Sequence, residues 1–246
     1  MGAQNELFSH ELEHGKYLAA GCAEEIWGWG TPAGQVRARR RAACILEGAG
    51  IGLCSRVLEI GCGTGMFTAA FAESGAEIIA VDLSPDLLAR AAERNLARVR
   101  FVEKNFEDCD VDGPFDAVIG SSVLHHLDLE RALPKIHSLL KPGGRLCFAE
   151  PNMLNPQVFA ERHFRRFFPY VSPDETAFVR TRLRRQLEAS LFEAVSIRPF
   201  DWLHPAVPAP LISVVSSVGG FLEKSWPLSE FAGSLMIRAQ KLGAQV

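Results

Sequence analysis

Three glycines at alternate positions, Gly61, Gly63 and Gly65, carry the clearest chemical signal in the chain. They follow an apolar run at 57–60, which is typical of a buried strand, and precede a helical pattern that starts at Met66. Glycine has no Cβ, so it can take a positive φ and lets a ligand lie against the backbone. The unpaired amides that open the next helix suit a carboxylate or a phosphate. The sequence therefore predicts a nucleotide-type cofactor loop at the carboxyl end of a first strand, where open α/β sheets bind ligands.

An acid at the end of the next apolar run is the second candidate for this site. Asp82 ends the run 77–82 and lies about where a ribose-binding carboxylate belongs after such a loop. Ionised carboxylates form short, strong hydrogen bonds to hydroxyl groups. Met66 stands where the dinucleotide fingerprint has its third glycine, which disfavours an NAD-type oxidoreductase.

Four blocks in the chain resemble the class I S-adenosylmethionine-dependent methyltransferases, in the family's order and at its spacing. They are VLEIGCGTG at 57–65, VDLSPDLL at 81–88, FDAVIGSSVLHHL at 115–127 and LLKPGGRLCFAEPN at 139–152. The resemblance implies an α/β fold: a Rossmann-like, seven-stranded, mostly parallel sheet with helices on both faces. It also implies an antiparallel last strand between the fifth and sixth, a helical N-terminal extension and a lid insert. The implied cofactor is S-adenosylmethionine, with S-adenosylhomocysteine as product and no metal.

The alternation of strand and helix patterns independently predicts a parallel sheet. The predicted strands are 56–60, 77–82, 99–103, 115–120, 145–150, 192–200 and 234–241, and the predicted helices include 34–46, 64–73, 85–96 and 129–140. We expect one methyltransferase domain over 1–246. Its parts are an N-terminal extension (1–35), a cofactor-binding core (36–150), a lid insert (151–188) and C-terminal strands (189–246).

The resemblance also implies which residues hold the cofactor: Glu59, Gly61, Cys62, Gly63, Thr64, Gly65, Asp82, Leu83, Asn105, Phe106, Gly120 and Ser121. A carboxylate buried in a strand needs a partner, which for Glu59 we expect to be the cofactor's amino group. Asn105 stands where the family often has an acid, so the adenine contact falls to its carbonyl oxygen, to nearby Glu107 or Asp108, or to the Phe106 backbone. The run 120–123 lacks the Asn/Asp-Pro-Pro-aromatic motif of enzymes that methylate nucleobase amino groups and glutamine amides.

Two adjacent histidines, His125 and His126, are the candidates for a catalytic base. A histidine suits that role by its pKa, but a base helps only if the acceptor must lose a proton. The alternative is structural: one ring packs under the sheet and the other hydrogen-bonds the loop. We expect His126 to be the one that faces the cofactor.

The flanking segments leave several alternatives open. Trp27 and Trp29 are either core anchors or a flap over the cofactor, where aromatic rings would contact the sulfonium. Thr31 and the run 37–41, which contains four arginines, either approach the cofactor's carboxylate or form a solvated helix face. The Arg- and Phe-rich insert and the apolar stretch 207–222 indicate either a hydrophobic or lipid-linked acceptor, or ordinary lid packing and a second subunit.

Composition narrows the function classes. A net charge of -3 gives no electrostatic argument for nucleic acid. The six cysteines form no C-x-x-C pair, so we expect reduced thiols in a cytoplasmic protein rather than a zinc site. We predict a methyltransferase that acts on a small-molecule acceptor by in-line displacement, as a monomer or homodimer. We expect no transmembrane segment, and we leave open whether the protein contacts lipid peripherally. The alternatives are an RNA or protein methyltransferase and a catalytically silent S-adenosylmethionine-binding protein.

Overall fold

A mixed sheet forms the centre of the computed structural model, which describes residues 13, 15–108, 110–168 and 176–243. In this part of the chain the sheet has seven strands in the order β3-β2-β1-β4-β5-β7-β6. Strand β7 runs antiparallel to both neighbours, and the other pairings are parallel. The predicted fold class, including the antiparallel last strand between the fifth and sixth, is confirmed. The strands are β1 Arg56–Ile60, β2 Glu77–Asp82, β3 Val99–Glu103, β4 Phe115–Ser121, β5 Leu140–Pro151, β6 Phe192–Phe200 and β7 Ser234–Lys241.

Helices cover both faces of the sheet. They are α1 Pro32–Ala49, α2 Met66–Ala72, α3 Pro85–Glu93, α4 Leu129–Leu139, α5 Pro156–His163, α6 Arg180–Ala189 and α7 Ile212–Leu222. Two short helical segments, residues 15–20 and Ala23–Ile26, precede α1, and a 3₁₀ turn Leu124–His126 follows β4. No helix in the described ranges is long and apolar enough to cross a membrane.

Each face of the sheet packs its own apolar cluster. Leu133 of α4 and Leu187 of α6 pack with β4 and β5 side chains in one cluster. Ile45 of α1 and Phe71 of α2 pack in the other, against the opposite sides of the same strands. Because the central strands are buried on both faces, their sequences are mostly apolar, with Glu59 of β1 as a buried exception.

The structure corrects several predicted boundaries. The strand predicted at 145–150 begins at Leu140, which pairs with Phe115 before a register shift. The helix predicted at 64–73 begins at Met66, because Gly65 has a φ of +71°. The helix predicted at 34–46 begins at Pro32, where the Thr31 hydroxyl accepts a hydrogen bond from the Gly34 amide. The predictions made for residues 1–12, 14, 109, 169–175 and 244–246 lie outside the described residues.

Candidate functional site

The glycine loop needs glycine for both conformation and space. Gly61, Gly63 and Gly65 have φ values of +67°, +52° and +71°. A Cβ on Gly61 would lie 2.4 Å from Val123 Cγ2, and one on Gly65 would lie 3.0 Å from the Ala91 Cβ. The loop therefore packs closely between Val123, which follows β4, and Ala91 of α3.

Asp82 connects this loop to the end of β2. Its Oδ2 accepts a hydrogen bond from the Gly63 amide at 2.7 Å, and its Oδ1 accepts one from the Ser84 amide at 2.9 Å. The carboxylate thus lies directly beside the glycine loop, as the sequence predicted.

Glu59 is an acid in the centre of the sheet. Glu59 is only 2% exposed. Burial raises its pKa to about 8, and the nearby charge of Asp82 adds to this shift. Its Oε2 forms no well-aligned hydrogen bond with the described residues, although the nearby Thr68 hydroxyl favours the carboxylate and offsets part of the rise in pKa. A buried carboxyl oxygen of this kind is costly unless a ligand satisfies it.

A cavity of about 1190 Å³ opens above the carboxyl ends of β1, β2 and β4. The predicted site residues on its wall are Gly61, Cys62, Gly63, Thr64, Asp82, Leu83, Asn105, Phe106, Ser121, His125 and His126. Glu59, Gly65 and Gly120 lie behind the wall. A Cβ on Gly120 would lie 2.6 Å from a Phe148 ring carbon, which gives this glycine a packing role.

The side chain of Asn105 is held locally at the wall of the cavity. Its Nδ2 donates to Asp108 Oδ2 at 2.9 Å, and its Oδ1 accepts from the Glu107 amide at 3.1 Å. The amide oxygen therefore accepts one hydrogen bond within a turn and keeps a second lone pair, and its contact with adenine stays a prediction.

A buried histidine–carboxylate pair lies beside the cavity. His125 Nδ1 is 2.7 Å from Glu150 Oε2, and both side chains are buried. Glu150 Oε1 accepts from the amides of Val123 and Leu124, each at 2.9 Å. The ring of His126 lies 4.1 Å from that of His125, is partly exposed and also reaches the cavity. Sequence reasoning missed Glu150, although an acid in the buried strand ending at Pro151 was the available signal.

The N-terminal segment covers the glycine loop. A Cβ on Gly63 would lie 3.4 Å from the Trp27 ring, and Trp29 packs edge-on against Phe67 with ring centroids 5.4 Å apart. Glu24 accepts from the Thr64 hydroxyl at 3.1 Å and from Arg94 Nη2 at 2.5 Å. Both tryptophans line the cavity, and Trp27 also packs against the apolar cluster of Leu18, Ala23 and Leu87, so a flap over the cofactor stays a prediction.

Arg41 brings a buried positive charge to the cavity wall. It is 3% exposed and donates to the hydroxyls of Ser122 at 3.0 Å and Ser234 at 2.5 Å. Burial lowers its pKa to about 10, so it stays charged at neutral pH. Arg37 also lines the cavity, with Nε 2.8 Å from Asp201 Oδ2, and both guanidinium groups lie over the Trp29 ring at about 5 Å.

The other predicted groups of this region have other roles. Arg40 points away and pairs with Glu223. The Thr31 hydroxyl donates to the Pro205 carbonyl at 2.8 Å, so it connects α1 to the segment before α7. The solvated-face interpretation is therefore wrong for Arg41. Nothing in the local sequence distinguishes it from Arg39, which is exposed.

Known proteins resemble this chain in both sequence and fold. The family model "Methyltransferase domain" matches residues 57–144. A ubiquinone biosynthesis O-methyltransferase of Xanthomonas axonopodis pv. citri (strain 306) is 36% identical over 112 residues, which are 43% of this chain and 46% of that protein. The chain thus spans less than half of that relative's length. A demethylmenaquinone methyltransferase of Tropheryma whipplei (strain Twist) is 28% identical over 81% of this chain and 79% of its own length.

Among solved structures, the N-methyltransferase NodS from Bradyrhizobium japonicum WM9, in complex with S-adenosylhomocysteine, shares the fold. Its TM-score is 0.62 at 18% identity, and the match covers 94% of this chain and 97% of that one. The glycine loop, the acid that ends β2, the strand order with an antiparallel β7 and the matching family model agree with one another. Residues 57–144 therefore carry the sequence of a methyltransferase domain, and the fold around them is that of the class I S-adenosylmethionine-dependent methyltransferases.

Proposed function

We propose that this protein binds S-adenosylmethionine in the cavity and methylates a hydroxyl group of a small, apolar acceptor. The observation that carries the choice of a hydroxyl is the buried His125–Glu150 pair at the cavity wall. A hydroxyl acceptor must lose its proton during the transfer, and a histidine held by a carboxylate suits that task.

The polar residues of the cavity support this cofactor. In our proposal Asp82 accepts from the ribose hydroxyls, while Leu83 and Phe106, which are also on the wall, flank the adenine. Oε2 of Glu59, which forms no well-aligned hydrogen bond, supports a bound ammonium close by. Arg41 and Arg37 are the cations that we assign to the carboxylate of the methionine moiety. When bound, S-adenosylmethionine supplies a methyl group on a sulfonium, which is already a good leaving group.

We propose His125 as the base rather than His126, which the sequence favoured. With Nδ1 paired to Glu150, the proton on that nitrogen points to the carboxylate, and Nε2 is the basic nitrogen. Nε2 is buried in this structure, so the proposal requires the acceptor's binding to expose it to the cavity. The negative charge of Glu150 then stabilises the imidazolium that forms. The two backbone amides on Glu150 hold the carboxylate in place. The remaining work of the chain is alignment and exclusion of water.

The nature of the acceptor is supported by the cavity wall and by the relatives. Trp202, Leu203 and Pro205 give the cavity wall an apolar section. The relatives' names refer to ubiquinone and demethylmenaquinone, which are lipid-linked quinones. We therefore propose a lipid-linked phenolic acceptor.

The test measures methyl transfer to a short-chain catechol with the full chain and matched variants. We expect Glu150→Gln to lower kcat by roughly 100-fold, since general-base catalysis contributes about that much. His126→Gln is the matched control, with kcat expected within about threefold of wild type, a change below 1 kcal/mol. Calorimetric titration with S-adenosylhomocysteine should give the same affinity for all three proteins. Equal kcat for wild type and Glu150→Gln would remove the base assignment, and binding of NAD instead would overturn the cofactor.

A further inference from the structure

A charge-free surface segment lies next to the cavity. The residues from Pro205 to Leu222 include no charged side chain, and α7 forms the second half of this segment. Four side chains repeat at spacings of three and four residues, and each exposes at least half of its area: Leu211 (52%), Val214 (60%), Val218 (52%) and Phe221 (69%). This spacing places them in one stripe along the helix. Trp226, 81% exposed, follows the helix.

The helix rests on the molecule by its small residues. Gly219 is buried, and a Cβ at this position would lie 2.9 Å from the Trp202 Cβ. Trp202 itself is part of the cavity wall, together with Pro205 and Ala206. One layer of side chains therefore separates the exposed stripe from the cavity, and the apolar surface continues from the helix to the cavity wall.

Charged groups begin where the helix ends. Glu223 pairs with Arg40 at 2.7 and 2.5 Å and accepts from the Asp201 amide, which anchors the end of α7 to the fold. Lys224 is exposed beside it. An apolar helical stripe with an adjacent tryptophan and an exposed lysine at its end is typical of a segment that lies at a membrane surface.

We propose that α7 and Trp226 dock into the headgroup region of an anionic lipid bilayer, so that a lipid-linked acceptor passes from the bilayer into the cavity. The acceptor part of this proposal rests on the proposed function. The stripe exposes several hundred Å², a size that marks an interaction surface. A second copy of the chain would need about 800 Å² per partner with a polar rim, and the segment from Pro205 to Leu222 offers no charged group to specify a protein partner.

The test is flotation of the full chain with phosphatidylcholine–phosphatidylglycerol vesicles. The double variant Val218→Glu/Phe221→Glu changes exposed positions only, so we expect it to fold and to lose at least about tenfold in vesicle-bound fraction. Leu53→Glu is the matched control, because Leu53 is 71% exposed and lies at the amino end of β1, away from the cavity. It should float like wild type.

Three outcomes would overturn the docking surface. The first is that wild type does not float, and the second is that the double variant floats as well as wild type. The third is that neither protein floats, while wild type is a dimer and the double variant is a monomer. Turnover of the short-chain catechol and binding of S-adenosylhomocysteine need no vesicles. Normal turnover without flotation therefore refutes only the docking surface, whereas flotation without cofactor binding refutes only the proposed function.

Discussion

Replacement of Glu59 by Gln gives a sharp test of the cofactor site, because the buried acid reports on its own charge. Its pKa of about 8 means that at pH 7 roughly nine in ten Glu59 side chains carry a proton in the free protein. An ammonium held near Oε2 would favour the carboxylate and lower this pKa. Binding of S-adenosylhomocysteine at pH 7 should therefore release close to one proton from Glu59.

The assay is titration calorimetry in phosphate and in Tris, whose ionisation enthalpies differ. The dependence of the observed enthalpy on the buffer gives the number of protons released. Wild type should release about 0.9 proton more than Glu59→Gln, because the glutamine side chain that replaces Glu59 cannot ionise. Any proton released by the ligand's own amino group is the same for both proteins and cancels in the difference. Equal proton release by the two proteins would refute an ammonium beside Glu59 and leave this acid a structural role.

The same group makes a stability prediction with a definite sign. The pKa of Glu59 in the folded protein lies above the ordinary value of 4.5. The folded protein therefore has its full stability with respect to this group below pH 4.5, where Glu59 is protonated in both states, and loses it as the pH rises through about 8. The cost of the buried charge at pH 9 is on the order of 5 kcal/mol at most. The measurement is therefore the free energy of unfolding, by urea titration, at pH 6 and at pH 9. Between these two values it should fall by about 3 kcal/mol more for wild type than for Glu59→Gln, which corresponds to about two pKa units.

Two further substitutions test the loop. Asp82→Asn should weaken S-adenosylhomocysteine binding by about 10- to 100-fold, since hydrogen bonds to a charged group contribute about 1.5–3 kcal/mol, and calorimetry should show no change for Asp86→Asn on the exposed side of α3. Unchanged affinity of Asp82→Asn would contradict the ribose assignment. Gly65→Ala should lower the free energy of unfolding by about 1–2 kcal/mol, because its φ is +71° and the new Cβ would lie 3.0 Å from Ala91. Gly52→Ala, which meets nothing within 4 Å, is the control in the same urea titration, and an equal loss in both variants would contradict the reasoning.

The sequence predicted the parts of this molecule that local patterns encode. Strands β1, β2 and β3 begin and end where the apolar runs begin and end, and the glycine loop and Asp82 come together as their spacing indicated. The start of β5 was wrong because Pro142 and the glycines after it are typical of a turn. In the structure, pairing with β4 extends the strand through this segment, with a bulge.

The contacts that complete the site are long-range and have no local signal. Arg41 reaches Ser122 and Ser234, which lie far along the chain, and only the closed sheet brings them together. The same holds for His125, in the 3₁₀ turn after β4, and Glu150, near the end of the neighbouring strand β5. Sequence reasoning weighed the two histidines against each other by residue type, whereas the structure separates them by what each ring contacts.

The position of β7 has a consequence for synthesis on the ribosome. Strand β6 pairs with β7 alone, and β7 separates it from β5, so the chain up to about residue 233 has two strands waiting for a partner that has not yet been made. Ser234, the first residue of β7, also supplies the hydroxyl that holds Arg41. A nascent chain can therefore form the glycine loop early, but the sheet and the cavity wall close together only after β7 has emerged. Until then, the exposed edges of β5 and β6 are the surfaces on which a chaperone would act, or at which two unfinished chains would pair.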